Sequence, residues 1–177
     1  MVEGKGEAKG KLYCLDGNHV KICLTGIWIS NSICFSPDGK QLYFADSPLR
    51  AILRFDLDPA SGTIGNRQVF TRTPKGAFPD GANIDAEGHL WSAHWGAGRV
   101  VRYAPDGSIS AVIEVPTSQV SCIAFGGAAL DLLFVTSARE GMSDAALKEQ
   151  PNAGDVFVYK VNVKGLPEPR FAMEPIA

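Results

Sequence analysis

Apolar residues recur along the chain in short runs broken by Gly, Pro, Asn and Asp. The dominant period within the runs is two, the signature of strands with unlike faces. Residues 11–16 and 19–24 alternate on either side of Asp16-Gly17-Asn18, the pattern of a β-hairpin. Residues 25–30 lead to Asn31. A short strand over 33–35 follows, then the turn Pro37-Asp38-Gly39 and a strand over 41–46. Strands over 51–56 and 66–71 flank the loop Asp58-Pro59-Ala60-Ser61-Gly62. The plan then repeats. Pro79-Asp80-Gly81 reads as a turn with Gly at positive φ, 82–85 as a strand, Ala86-Glu87-Gly88 as a second turn and 90–93 as a second strand. Strands over 99–104 and 108–115 follow, around Pro105-Asp106-Gly107. A third copy begins near Ser121, carries an insertion over 138–153 and ends in a strand over 155–161. Residues 143–150 fit about two helical turns, and residues 1–10, rich in Gly and charge, read as a loop.

The repeat has a length. Leu42-Tyr43, Leu90-Trp91 and Leu133-Phe134 are 48 and 43 residues apart, and Leu53-Arg54-Phe55 and Val101-Arg102-Tyr103 are 48 apart. A period near ~40–50 with about four strands per copy marks a β-propeller blade. A blade cannot bury both of its faces alone, so blades stack around an axis. A β-sandwich is the alternative, but it does not require this period. The fold class expected is all-β, a partial β-propeller of about four blades or fewer, with 1–177 as one domain.

Superimposing the copies on Ser36, Asp85 and Gly126 brings Asn31, Asp80 and Ser121 to one position, five residues upstream each time. The first strand of a blade lines the central channel, so residues just before it meet at one end of that channel. A carboxylate and an amide carbonyl there suit one hard divalent cation, which takes oxygen ligands. Ca²⁺ is the preferred candidate, with Zn²⁺, Mg²⁺ or Mn²⁺ as alternatives. Asp80 can also cap a turn, and Asn31 likewise. His94 follows a strand whose neighbours line the channel; it is a pocket candidate, as is Ser121, although both also read as structural. Trp91 and Trp95 read as core or pocket wall, and Asp38 and Asp106 as turn formers.

Composition narrows the class. The 177 residues carry a net charge of −2, which gives no electrostatic case for nucleic acid. No apolar run approaches the ~20 residues that span a bilayer. The segment MVEGKGEAKGK lacks the apolar stretch of a signal peptide. Cys14, Cys23, Cys34 and Cys122 show no metal-site spacing and read as reduced, buried thiols of a cytoplasmic protein. Gly96-Ala97-Gly98 reads as a hairpin turn, not a phosphate loop, and the absence of a G-x-S-x-G elbow argues against a serine esterase.

The stretches ISNSICFSPDGKQLYFADS, PDGANIDAEGHLWSAHWGAGRVVRY, SCIAFGG, VTSAREGM and PNAGDVF occur in the order found in the regucalcin-like senescence-marker-protein/gluconolactonase family, which this chain resembles from about Gly10 to about Gly165. The resemblance implies a six-bladed propeller with a divalent metal on its axis and hydrolysis of sugar lactones. It implies three metal ligands: an early Glu, an Asn and an Asp. Asn31 and Asp80 match the last two, and Asp80 would be the catalytic residue. The family has Gly after that Asn, where this chain has Ser32. The resemblance also implies that the chain corresponds to the C-terminal part of the propeller, without the early Glu and the substrate-binding Arg and Asn of the first half. Such an open arc is expected to self-associate, because blade faces and strand edges are uncovered. Two further readings stay open: a non-catalytic calcium-binding propeller fragment, and a hydrolase of other esters or organophosphates.

Overall fold

The computed structural model describes residues 7–170. Among them lie 13 strands in four antiparallel sheets, plus one short helix. β1 (Gly10–Asp16) and β2 (His19–Ile27) form a two-stranded sheet. The next sheet runs in order through β3 (Ser30–Phe35), β4 (Gln41–Asp46), β5 (Ala51–Asp58) and β6 (Thr63–Arg72). The third does the same with β7 (Phe78–Ile84), β8 (Leu90–Trp95), β9 (Arg99–Tyr103) and β10 (Ile109–Glu114). The last contains β11 (Val120–Gly126), β12 (Leu132–Ser137) and β13 (Val156–Lys160). Each sheet is a meander whose first strand starts a new blade. The first strands β3, β7 and β11 are neighbours, with β7 in the middle. The fold is a partial β-propeller of four blades, the outer two having two and three strands among the described residues.

The packing explains the sequence pattern. Blades stack face to face, so the strands in the middle of a sheet are covered on both sides. β4 and β8 accordingly read as near-continuous runs, Leu42-Tyr43-Phe44-Ala45 and Leu90-Trp91-Ser92-Ala93, buried throughout. Three apolar clusters occupy the three seams. Leu42, Phe44, Leu53 and Phe55 meet Leu12 and Leu24 from the first blade. Tyr43, Ile52 and Phe70 meet Ile84, Leu90, Val101 and Tyr103. Trp91, Ala93 and Val100 meet Val120, Ile123, Leu133 and Val135. Each fully buried side chain of this kind stabilises the fold by roughly 1.5–3 kcal/mol. Edge-on rings tie the middle seam, Tyr43 to Phe70 at 5.0 Å and Phe70 to Tyr103 at 6.3 Å.

The two terminal faces lack such a neighbour among the described residues. On the first blade Tyr13, Leu15, Val20 and Ile22 are cross-strand partners on one face and are about half exposed. On the last, Phe134, Val156 and Val158 share the outward face. Both faces have the apolar composition of the seams.

Three expectations need correction. Pro79-Asp80-Gly81 is not a turn; it lies inside β7, and Gly81 does not take positive φ. A Cβ on Gly81 would sit 2.3 Å from the Cys122 sulfur, so glycine is there for close approach of β7 to β11. The other two Pro-Asp-Gly triplets do turn, with Gly39 at φ 68° and Gly107 at φ 86°. The four cysteines are free, but only Cys34 is buried; Cys14 and Cys23 are half-buried and Cys122 is exposed. Burial pushes the Cys34 thiol up to about 12, so it is inert as a nucleophile. Strand boundaries also shift, outward in β3 and β6 and inward by a residue or so in β9, β10 and β13. β3 begins at Ser30 and β6 at Thr63, because ladder bonds to β4 and β5 extend pairing beyond the apolar runs. The expected two-turn helix is present as α1 (Asp144–Glu149), with the Ser143 hydroxyl accepting from Ala146 N. Residues 1–6 of the expected N-terminal loop lie outside the described residues.

Candidate functional site

The three inner strands share one irregularity. β3 shifts register between Asn31 and Cys34, β7 between Pro79 and Ala82, and β11 between Val120 and Cys122. A β-bulge adds an unpaired residue and re-aims its side chain. Asn31, Asp80 and Ser121 sit at or in these bulges, at equivalent places in three successive blades. The repeat in the sequence therefore corresponds to a repeat in backbone geometry.

Asn31 and Asp80 line one cavity of about 350 Å³. Ile29, Pro48, Phe78, Pro79 and Trp95 give it apolar walls, and Ser47 and Glu140 add polar groups. A hydrogen-bonded chain among its lining residues joins the blades. Asn31 Nδ2 donates to Ser47 Oγ at 2.8 Å, and Ser47 Oγ donates to the Pro79 carbonyl at 2.7 Å. Ser47 thus fixes the Asn31 amide with its nitrogen toward the protein and leaves Oδ1 as the atom for another partner. Ser32 makes the second tie, its Oγ donating to the Asp80 carbonyl at 2.6 Å. Ser32 has φ 52°, a left-handed conformation that costs a non-glycine residue about 1–2 kcal/mol. The hydroxyl that glycine lacks makes a buried bond in return and couples the strand of Asn31 to that of Asp80. Upstream, the Asp46 carboxylate accepts from the backbone N–H groups of Trp28 and Ile29 at 3.1 and 2.9 Å and shapes the loop that supplies Ile29.

The donor set fits a hard cation in part. Asn31 Oδ1 and the Asp80 carboxylate are oxygen ligands of the type such ions prefer, held on one cavity wall by neighbouring blades. Among the described residues no group of three or more His, Cys, Asp or Glu is gathered for a metal. Asn31 and Asp80 would therefore supply only part of the ligands that such a cation takes.

Ser121 and His94 lie elsewhere. Ser121 is half-buried and shares a 2.8 Å hydrogen bond with the Thr136 hydroxyl across β11 and β12. His94 is fully buried in the core, away from the cavity lining. Arg99 Nε donates to its Nδ1 at 3.4 Å, so Nε2 carries the hydrogen and faces the Tyr103 hydroxyl at 3.1 Å. Burial, aided by the Arg99 charge, pushes the imidazole down to about 4. The unfolded side chain titrates near ~6.5. Between these values the unfolded chain binds the extra proton, so the stabilising effect of neutral His94 is complete above pH ~6.5 and lost as pH falls toward 4. The loss is on the order of 3 kcal/mol at about 1.4 kcal/mol per pKa unit. Denaturant melts at pH 7 and pH 4 should show this loss in the wild type and much less of it in His94→Gln. An equal pH dependence in both proteins would acquit His94.

Ser47 and Glu140 were not legible as site residues. Ser47 follows a strand with no motif around it, and its role exists only through contacts 16 and 32 residues away. Glu140 lies in the insertion after β12 and reaches the cavity because that loop folds back.

Comparison with known proteins places this geometry in a wider set. Residues 1–139 match the family described as SMP-30/Gluconolactonase/LRE-like region. The L-arabinolactonase of Azospirillum brasilense is 46% identical over 156 residues, which is 88% of this chain and 51% of that protein. The 6-deoxy-6-sulfogluconolactonase of Pseudomonas putida is 39% identical over 166 residues, 92% of this chain and 57% of the relative. Among solved structures, the calcium-binding regucalcin of Agrobacterium tumefaciens superimposes with a TM-score of 0.90 at 40% identity, covering 95% of this chain and 58% of the other. The chain thus spans about half the length of the relatives it matches. With a match over most of its residues and bulges that set Asn31 and Asp80 side by side, the chain belongs to the SMP-30/gluconolactonase/LRE-like family.

Proposed function

We propose that this chain supplies the metal-holding wall of a sugar-lactone hydrolase. The observation that carries the reading is that Asn31 and Asp80, from adjacent blades, face one cavity of a size suited to a small sugar ring. Asn31 Oδ1 and the Asp80 carboxylate would hold one divalent cation, with Ca²⁺ the preferred ion. When bound, such an ion polarises a carbonyl oxygen as a Lewis acid. Asp80 orients a water molecule and takes its proton as the water oxygen attacks the lactone carbonyl carbon. The ring C–O bond then breaks, the ring oxygen takes up a proton, and the product is a hydroxy acid. Phe78 and Trp95 offer apolar faces to the C–H side of the sugar. The relatives' named substrates, an uncharged arabinolactone and a sulfonated gluconolactone, are both sugar lactones.

The test is hydrolysis of aldonolactones by the purified chain, alone and joined to the N-terminal half of the Azospirillum brasilense relative, with and without EDTA. Chelator-sensitive turnover in the joined protein is expected. Calcium binding without turnover in either form would favour the second reading, a non-catalytic calcium-binding fragment. Among the described residues no helix is long and apolar enough to cross a membrane. The free cysteines are consistent with the cytoplasmic location proposed for the protein.

The seam-like faces at both ends support self-association of the isolated chain, one copy covering the terminal blade of another. Sedimentation should show concentration-dependent oligomers, and Ile22→Glu combined with Phe134→Glu should shift them toward monomer. A wild-type chain that sediments as a monomer with a sharp thermal transition would refute this.

A further inference from the structure

Glu140 is the second carboxylate of the cavity, and nothing in the lactone chemistry above uses it. Its position is built. The Ala138 N–H donates to the Gln119 carbonyl at 2.9 Å, and Gln119 Nε2 donates to the Glu140 carbonyl at 2.7 Å. At the far end of the insertion, Gln150 Oε1 accepts from Ser118 N at 2.7 Å. Residues 118–119 are in turn tied to β8 and its hairpin. Gln119 bridges to Trp95, and the Gly96 N–H donates to the Ser118 carbonyl at 2.9 Å. The loop is thus clamped at both ends to the segment that carries Trp95, and Glu140 is held at the cavity wall beside it.

The Glu140 side chain is exposed and, among the described residues, no ion pair engages its carboxylate. Among the described residues, those lining the cavity include no Lys, Arg or His. An unspent carboxylate accepts hydrogen bonds from hydroxyl groups and repels a second anion. Discrimination between related ligands is commonly achieved by such a repulsive group.

We infer that Glu140 is a specificity residue, through which this cavity accepts uncharged polyhydroxy lactones and rejects those bearing a carboxylate or sulfonate. Gln119 is its positioning residue. This rests on the reading of the cavity as a sugar-lactone site.

The test measures binding, so it does not depend on turnover. A neutral six-membered sugar lactam, which cannot be hydrolysed, is compared with the same lactam carrying a C6 carboxylate. Affinities for the purified chain are read by calorimetry and by the tryptophan fluorescence that Trp95 reports. The wild type should bind the neutral lactam about tenfold or more tightly than the anionic one. Glu140→Gln should narrow that ratio roughly 5- to 30-fold, the effect of one nearby unit charge at the cavity mouth, by improving the anionic ligand. Gln119→Ala should narrow it in part. Raising salt from 0.1 M to 1 M, which shortens the screening length from about 10 Å to about 3 Å, should shrink the wild-type ratio more than the Glu140→Gln ratio, in which Asp80 is the remaining carboxylate. A purely structural residue would not give that salt signature. If the neutral lactam binds and the ratio is the same in wild type and Glu140→Gln, the specificity inference falls while the lactone reading stands. Loss of both ligands in a folded Glu140→Gln protein would make Glu140 a general binding residue and overturn the inference. If neither lactam binds the wild type, both readings fall.

Discussion

Asp80→Asn is expected to abolish nearly all metal-dependent lactone hydrolysis while the blades stay folded. Two contacts that hold this part of β7 use the backbone and survive the substitution: Ser32 Oγ donates to the Asp80 carbonyl and Ser47 Oγ to that of Pro79. A carboxamide keeps the size and one oxygen of the side chain. It removes the charge that holds a cation and the capacity to accept a proton from water. Loss of a general base alone is worth ~10²–10⁴ in rate. Weaker ion binding adds to that. Asn31→Asp should differ, because it adds charge while losing the Nδ2 donor to Ser47. Ion affinity should persist or tighten, and turnover should fall as the freed side chain leaves its geometry. Calcium titration and gluconolactone turnover, measured in the protein joined to a relative's N-terminal half, separate the two variants. Wild-type turnover by Asp80→Asn at saturating metal would make Asp80 a structural residue and end the proposed mechanism.

The blades were legible because their period is long and each copy repeats its own punctuation. Leu42-Tyr43 and Leu90-Trp91 announce the doubly covered middle strands, and their spacing announces the stacking. The alignment of Asn31 with Asp80 came from the same repeat. The bulges did not, because a Pro-Asp-Gly triplet that turns at 37–39 and 105–107 runs straight through β7 at 79–81. What decides the difference is the proximity of Cys122, a contact between residues 41 apart that local propensity does not contain. Glu140 was hidden for a similar reason: its place in the cavity depends on clamps from Ser118 and Gln119. Of the two readings of His94, packed or in the pocket, the structure has the packed one, with Tyr103 and Arg99 against its ring in the core.

Asp85 marks the repeat in the sequence but carries no sign there of its buried network, and its removal should be severely destabilising. It is fully buried. One oxygen accepts from the backbone N–H groups of Glu87 and His89, both at 3.0 Å, and pins the Ala86-Glu87-Gly88 turn. The other accepts from Trp91 Nε1 and Arg102 Nε, both at 2.8 Å. Arg102 also pairs with Glu87 at 2.6 Å and lies 5.7 Å from the centre of the Trp91 ring. Asp85→Ala leaves the largely buried Arg102 guanidinium with Glu87 as its one remaining carboxylate, leaves the Trp91 indole N–H unpaired, and releases the turn. Breaking a buried pair from one side typically costs about 3–5 kcal/mol. At roughly 2–4 °C per kcal/mol for a chain of this size, Tm should fall by on the order of 10 °C. Asp85→Asn should do less harm to the turn but sets an amide N–H₂ against the Trp91 and Arg102 donors. The double variant Asp85→Ala with Arg102→Met should regain part of the loss, because an apolar side chain replaces a guanidinium that has lost its buried partner, while Glu87 stays exposed to solvent. A Tm shift below about 3 °C for Asp85→Ala, or a double variant worse than the sum of its singles, would show that the network is incidental. Asp85 lies outside the residues lining the cavity, so calcium affinity at Asn31 and Asp80 should be unchanged in whatever fraction stays folded. That separates a change in the scaffold from a change in the site.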